Sequence, residues 1–343
     1  MLHLVMGGSG FVGSTITRLL CARGHKVRVL DLWKADDLPA EAEFFHADIN
    51  DREGVRRAME GVTHVHHNVA LVPLAKAGNR YWTVNVEGTR VALEEAQRAK
   101  VSMFAHMSSS AVFGSPETMP ITNATPRMPI EIYGEAKKAG EDLVLQAMAA
   151  GMTASVIRPR TVIGTGRLGI FEILFDWIRD GANIYIIGDG SNRFQFVHAE
   201  DIAEASIQSC LKNVSGVFNV GTDHFATLRE DLTFLCQHAG TGSKVKSLPV
   251  SLTMGTLQLL DTVGLSPLSP WHYLTYHKPF YFDSEPAYAA LGFRPKYDNR
   301  TMLTGSYDWF IRNFDAQKIK SGTSAHRKPV KQGILKLLKA LSR

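Results

Sequence analysis

The amino-acid sequence predicts an α/β protein, a doubly wound parallel sheet followed by a smaller mixed C-terminal lobe. Three observations lead there. Apolar runs of strand length alternate with helical patterns through the first half of the chain. A glycine-rich turn, Gly7-Gly8-Ser9-Gly10-Phe11-Val12-Gly13, sits between the first such run and the first helical pattern. From about residue 160 the alternation gives way to irregular segments punctuated by Gly and Pro, as expected of a lobe assembled beside the sheet.

In order, Leu2–Met6 and Val27–Leu30 read as strands flanking a helix at Phe11–Ala22. A short helix at Val55–Met59 and a strand at Val62–His66 follow, then a helix at Val86–Ala99 and a strand at Met103–Met107. A long helix at Tyr133–Ala149 leads into a strand at Thr153–Ile157. The expected division is residues 1–160 for the nucleotide-binding sheet, with contributions from about 195–222, then 161–315 mainly for the lobe, and 316–343 for a basic tail. A chain of 343 residues, 45% of them hydrophobic, is long enough to bury a core of that size.

The glycine turn has the context of a dinucleotide fingerprint, following a strand and opening a helix. Gly7 permits the tight turn, Gly10 lets backbone approach a pyrophosphate, and Gly13 lets helix and strand pack closely. The helix start at Phe11 and Val12 then presents N–H groups and a positive dipole end to phosphate. Asp31, 18 residues after Gly13, ends the second strand, where a carboxylate accepts from ribose hydroxyls and repels a 2′-phosphate. NAD is therefore preferred over NADP, with Lys34 nearby as a softening charge.

Tyr133 and Lys137 form a Tyr-x-x-x-Lys pair on one face of a helix. The ammonium is expected to lower the tyrosine pKa, so that the phenol serves as base in alcohol oxidation or acid in ketone reduction. Ser109, within the run Ser108-Ser109-Ser110 that follows a strand, is placed to hydrogen-bond a substrate oxygen. A surface tyrosine near a lysine is common; the order of nucleotide turn, Asp31, serine run and Tyr-x-x-x-Lys at successive strand ends is not.

Together these motifs resemble the extended short-chain dehydrogenase/reductases, the NAD-dependent epimerase/dehydratase superfamily, over roughly residues 1–315. Asp48-Ile49 resembles the family's adenine-contacting pair, and His67-Asn68-Val69-Ala70 the segment beneath its cofactor. Asn85-Val86-Glu87-Gly88-Thr89 resembles its helix start, Arg158-Pro159 its strand end beside the nicotinamide, and Arg193–Asp201 its substrate-lobe signature. The resemblance implies a Rossmann-type fold, and NAD held by the glycine turn, Asp31, Asp48, Ile49, Asn68, Val69, Ala70, Asn85, Ser108, Tyr133, Lys137 and Pro159. It implies Ser109, Tyr133 and Lys137 as catalytic residues, and Ser110, Arg160, Thr161, Arg193 and Phe196 toward the substrate. It also implies a homodimer, with helices near 87–99 and 135–149 as candidates for its interface.

Departures from the family pattern narrow the chemistry. Ser110 and Ala111 stand where related dehydratases carry an Asp-Glu pair, so elimination is poorly served. Plain redox at one carbon, or oxidation and re-reduction in an epimerase, remains. A nucleotide sugar or lipid-linked sugar is one substrate reading, with Arg160, Arg167 and Arg193 as candidate diphosphate grips. Thr161, in place of the usual Asn, weakens it. Gly188-Asp189-Gly190-Ser191-Asn192 and the apolar stretch Leu248–Leu268 resemble the 3β-hydroxysteroid dehydrogenase branch and open a second reading, a hydrophobic alcohol. The third reading is an NAD-binding protein without turnover, against which Ser109, Tyr133 and Lys137 all argue.

Charge is unevenly placed. The net charge is +5, yet residues 316–343 hold eight Lys/Arg and no acid, which leaves −3 on the rest and argues against a nucleic-acid-binding body. In the tail, Ile334, Leu337, Leu338 and Leu341 fall on one helical face with Lys336, Lys339 and Arg343 mostly opposite. That stripe suits either the inner face of a membrane or the protein's own lobe or partner subunit. Three scattered cysteines, Cys21, Cys210 and Cys236, and the lack of a leader pattern fit a reducing cytoplasmic setting. His64, His66 and His67 cluster on one strand, but alternate residues of a strand face opposite sides, so structural roles and no metal are expected.

Overall fold

In a computed structural model the described residues are 1–73, 77–166, 168–262, 270–319, Lys339 and Ser342. Arg167, residues 263–269 and the apolar stripe of the tail lie outside them.

Seven strands form one sheet in the order β10-β6-β5-β4-β1-β2-β3, every neighbouring pair parallel. They are β1 Leu2–Met6, β2 Lys26–Asp31, β3 Glu43–His46, β4 His64–His67, β5 Met103–Met107, β6 Ala154–Pro159 and β10 Gly216–Val220. The connecting helices α1 Phe11–Ala22, α2 Arg52–Ala58, α3 Gly88–Arg98, α4 Ile132–Ala149 and α6 Ala199–Leu211 lie on its two faces. This is the doubly wound Rossmann arrangement, with strand order turning outward on either side of β1.

Pleat alternation sorts the core. Leu4 and Met6 of β1 face α2, α3 and α4 with Val65, Phe104 and Val156, whereas Val5 faces α1 and α6 with Val29, Ile16 and Ala203. A strand between two helical layers is buried on both faces, which is why β1 and β5 read as near-continuous apolar runs, whereas β4 buries His64, His66 and His67 around Val65.

The lobe contains two short parallel pairs, β7 Thr161–Ile163 with β9 Phe196–His198, and β8 Ile184–Ile187 with β11 Val245–Leu248. Around them lie α5 Phe171–Arg179, α7 Leu228–Ala239, α8 Val250–Thr262, α9 Pro270–Thr275, α10 Glu285–Leu291 and α11 Asn299–Ile319. An aromatic core of Phe175, Trp177, Phe194, Phe196, Phe280 and Phe310 holds the lobe together and continues to Phe113 and Tyr133 of the sheet domain.

Three local departures from the sequence reading have clear causes. β3 had no strand assigned to it; its four residues are flanked by polar segments and too short to show a period. The helix expected from Val86 begins at Trp82 as a π-helical turn, Trp82–Glu87, before continuing as α3. The Asn85 amide takes both backbone groups of Leu71, Leu71 N–H donating to Oδ1 at 2.8 Å and Nδ2 donating to the carbonyl at 3.1 Å. That tie to a neighbouring loop sits within the π turn and leaves no periodic signal in the sequence. The strand expected at Val62–His66 is shifted to His64–His67.

At the C-terminus, the Lys339 ammonium reaches Asp176 at 2.5 Å and Asp180 at 2.8 Å, and the Ser342 carbonyl accepts from Asn183. Among the described residues no helix is long and apolar enough to cross a membrane.

Candidate active site

The carboxyl ends of the strands, the turns beyond them and the lobe enclose a cavity of about 400 Å³, within the usual range for small-molecule sites. On the β1–β4 side it is lined by Gly7, Gly10, Phe11, Val12, Gly13, Asp31, Asp48, Ile49, Asn68, Val69 and Ala70. On the β5–β6 side it is lined by Ser108, Ser109, Ser110, Tyr133, Lys137, Pro159, Arg160 and Thr161, and the lobe adds Leu168, Ile170, Phe171, Trp271 and Tyr276.

The glycine turn is built for close approach. Gly7 has φ of +74°, a region that disfavours a side chain, and a Cβ on Gly13 would lie 2.1 Å from the Gly7 carbonyl oxygen. Gly10 caps α1 without any side-chain hydrogen bond, so the first turn of that helix faces the cavity uncapped. Asp31 closes the next strand, its carboxylate accepting from Ser9 N–H at 3.0 Å and Leu32 N–H at 2.7 Å. An uncapped helix start beside glycines and a fixed carboxylate one strand away is the donor and acceptor set that a dinucleotide's pyrophosphate and ribose require.

Asn85 differs from the expectation. It is buried, off the cavity wall, and its amide is fully engaged with Leu71, so it shapes the loop Asn68–Leu71 rather than lining the space itself. Lys34 is exposed and also outside the wall.

At the other end the N-cap residue Glu131 starts α4 by accepting from Tyr133 N–H and Gly134 N–H, which fixes the first turn and points Tyr133 inward. Tyr133 lines the cavity together with Ser109, and its ring meets the Tyr81 ring edge-on at 5.8 Å. Lys137 is buried one turn on; its ammonium donates to the Met107 carbonyl at 2.6 Å, and burial pulls its pKa down to about 8.

The sequence reading expected the Lys137 ammonium to lower the tyrosine pKa; instead burial pushes the Tyr133 phenol above its ordinary range, so it rests in its neutral form.

Beneath this end lies a network that sequence inspection missed. Glu141, a further turn along the Tyr133–Lys137 face, is fully buried and accepts from Arg158 Nη2 at 2.5 Å, Arg127 at 2.9 Å and the Ser108 hydroxyl at 2.5 Å. The spacing Tyr133, Lys137, Glu141 repeats every four residues and was available as a signal. Trp271 and Tyr276 also line the cavity; they come from a lobe segment whose pattern carries no sign of the site.

The residues expected to face the substrate divide. Ser110, Arg160 and Thr161 line the cavity. Arg193 does not; it is exposed and stacks on Phe225 at 4.5 Å and Tyr281 at 5.0 Å. Phe196 lies behind the wall, buried against Phe171 and Phe194. Phe196, on the short strand β9, thus serves the lobe's aromatic core. The histidines also take structural places. His3 bonds His66 at 3.1 Å and His66 bonds Ser206 at 2.8 Å on one side of the sheet, while His67 bonds Thr89 and meets His106 on the other.

Comparisons with known proteins agree with this geometry. The model of the NAD dependent epimerase/dehydratase family matches residues 3–221. The chain is 43% identical over 338 residues to the uncharacterized protein y4nG of Sinorhizobium fredii, covering 98% of this chain and 85% of that one. It is 31% identical over 327 residues to the UDP-glucose 4-epimerase of Lactobacillus helveticus, covering 86% and 92%. It is 27% identical over 345 residues to a 3 beta-hydroxysteroid dehydrogenase/Delta 5-->4-isomerase of Mycobacterium tuberculosis, covering 92% of each. Among solved structures, the UDP-glucose 4-epimerase of Thermotoga maritima with UDP-glucose superposes with a TM-score of 0.76 at 25% identity, covering 92% of this chain and all of that one. With its parallel sheet, glycine turn and Ser-Tyr-Lys cluster, the chain belongs to the NAD-dependent epimerase/dehydratase family, among the extended short-chain dehydrogenases.

Proposed function

We propose that the protein oxidises a secondary alcohol, or reduces the corresponding ketone, with Tyr133 as general acid/base, and that its substrate is a nucleotide-linked or lipid-linked sugar that it epimerises or dehydrogenates. One observation carries the reading: Ser109 and Tyr133 line the same cavity as the glycine turn and Asp31, with Lys137 buried beside them. Bound NAD supplies the hydride acceptor and donor.

The chain's own residues supply the rest. Gly7, Gly10, Phe11, Val12 and Gly13 receive the pyrophosphate, Asp31 the adenosine ribose, and Asp48 and Ile49 the adenine side. Asn68, Val69, Ala70, Ser108 and Pro159 bound the nicotinamide end. Ser109 orients the substrate oxygen, and Tyr133 passes the proton to or from that oxygen. Because burial favours the neutral phenol, oxidation requires positive charge at the site to draw the proton off, and Lys137 is the cation within the same helical turn. Ser110 and Ala111 bring no acid or base for elimination, which supports plain redox or epimerisation over loss of water.

A hydrophobic alcohol is the second reading, favoured by the apolar lobe wall of Leu168, Ile170, Phe171 and Trp271. Native mass spectrometry and denaturing release decide first. NAD retained through purification supports an internal redox cycle, to be followed by product analysis on UDP-glucose and UDP-glucuronate. An empty protein that reduces added NAD with a sterol or other apolar alcohol supports the second reading and refutes the first. A homodimer through α3 and α4 belongs to the same proposal. So does membrane contact by the tail, against which the Lys339 pairing with Asp176 and Asp180 argues.

A further inference from the structure

Arg80 lines the cavity, yet none of the motifs above accounts for it. It and Tyr81 open the helix that runs into the π turn Trp82–Glu87. The Tyr81 hydroxyl donates between the Val72 and Pro73 carbonyls, at 3.2 Å and 3.3 Å, and its ring meets Tyr133 at 5.8 Å. Asn85 ties the same helix to Leu71. The segment that carries Arg80 is therefore fastened at two places to the loop 68–73. That loop packs on the glycine turn, because a Cβ on Gly7 would lie 3.0 Å from the Val69 nitrogen and 3.2 Å from the Asn68 carbonyl oxygen. One wall of the cavity thus runs from Gly7 along 68–73 to Arg80 and Val84, between the phosphate-binding turn and Tyr133.

Charge singles this residue out. Among the described residues three cations line the cavity, Arg80, Lys137 and Arg160. Lys137 is 3% exposed and donates to the Met107 carbonyl. Arg160 is 1% exposed, sealed beneath Phe280 and Phe194 with Nη1 on Ser110. Both are fixed in place. Arg80 is exposed, and among the described residues its guanidinium has no hydrogen-bond or ion-pair partner. The start of α1 offers a diphosphate N–H groups and a dipole worth only about half an elementary charge. Asp31 and Asp48, the carboxylates on the cavity wall, oppose a second anion. A diphosphate seated there is left short of positive charge, and the free guanidinium on the adjoining wall has the fork that matches phosphate oxygens.

We propose that Arg80 is a diphosphate clamp, its guanidinium gripping from the β4 side a diphosphate that lies between the glycine turn and the reacting end. The cofactor's pyrophosphate and the diphosphate of a nucleotide-linked substrate offer it the same chemistry. Where the cofactor's is gripped, one exposed side chain governs how long the dinucleotide stays bound between turnovers. The inference rests on the glycine turn holding the cofactor's phosphates.

The test is calorimetry on the full-length protein with NAD and with ADP-ribose, ligand-observed NMR with adenosine, and calorimetry of UDP on the NAD-saturated protein. Arg80→Met should weaken NAD and ADP-ribose by at least about fivefold, the share of a charge-assisted bond that survives at a solvated site, with adenosine binding and Tm unchanged. The difference between wild type and variant should shrink as ionic strength is raised from about 0.05 M to about 0.5 M. Arg80→Lys, which keeps the charge but loses the fork, should fall between the two and serves if the Met variant does not fold. Unchanged NAD affinity with a comparable fall for UDP supports the clamp and assigns the gripped diphosphate to the substrate. No fall for NAD, ADP-ribose or UDP overturns the proposal, as does an equal fall for adenosine, because the effect would then not be on phosphate. Either of those results in a protein that binds NAD leaves the cofactor reading standing, whereas a wild-type protein that binds no NAD overturns both.

Discussion

Glu141→Gln should destabilise the protein far more than a one-atom exchange suggests. Glu141 is fully buried and is the only anion paired with Arg158 among the described residues, while Arg127 also has Asp142 at 2.7 Å. Removing the carboxylate charge strands the Arg158 guanidinium in the interior, and breaking a buried pair in this way costs about 3–5 kcal/mol. For a chain of 343 residues, unfolding entropy of about 2.1 cal/mol/K per residue converts that loss to a fall in Tm of about 4–7 °C. Thermal unfolding followed by circular dichroism measures it. Adding Arg158→Met should restore more than half of the loss, because the pair is then replaced by neutral groups instead of being broken. A Glu141→Gln Tm within 1 °C of wild type, or a double variant less stable than the single one, would refute the reasoning.

Gly13→Ala places a Cβ 2.1 Å from the Gly7 oxygen, so NAD binding should fall by at least about tenfold, read by calorimetry; unchanged affinity would show the turn to be dispensable. Asp31→Ser removes the carboxylate at the end of β2 and should shift the NAD-to-NADP affinity ratio at least tenfold toward NADP, read by fluorescence titration. Acid should destabilise the sheet core. His3 and His67 are lowered to about 3, and His66 and His106 are also lowered, all chiefly by burial. Because the unfolded chain binds protons below about pH 6.5 and the folded chain does not, stability present above that pH is lost as pH falls toward 3, at up to roughly 1.4 kcal/mol per unit for each histidine. Tm should therefore drop steeply between pH 7 and pH 5.5, and less steeply in His106→Leu.

The sheet domain was legible because its signals are local. Leu2–Met6, the glycine turn and Phe11–Ala22 appear in sequence as they do in space, since a strand buried on both faces and a helix start around glycines each impose composition on consecutive residues. That Ser109, Tyr133 and Lys137 line one cavity was legible for the same reason, their spacing being set by one helix and one strand end. What the sequence did not disclose depends on partners distant in the chain. Asn85 was placed beside the cofactor, but its amide is claimed by Leu71. Arg193 and Phe196 were placed near the substrate, but aromatic neighbours from 171, 225 and 281 draw one outward and the other into the core. The direction of the Tyr133 shift also depends on burial, which is not written in a four-residue spacing.

The most direct test of the account is Tyr133→Phe, which removes the cavity-lining hydroxyl and leaves the ring against Tyr81. With the substrate found by the screen above, kcat should fall by about 10²–10⁴ while NAD affinity and Tm remain close to wild type. Turnover within twofold of wild type would contradict the assignment of Tyr133 as the acid/base.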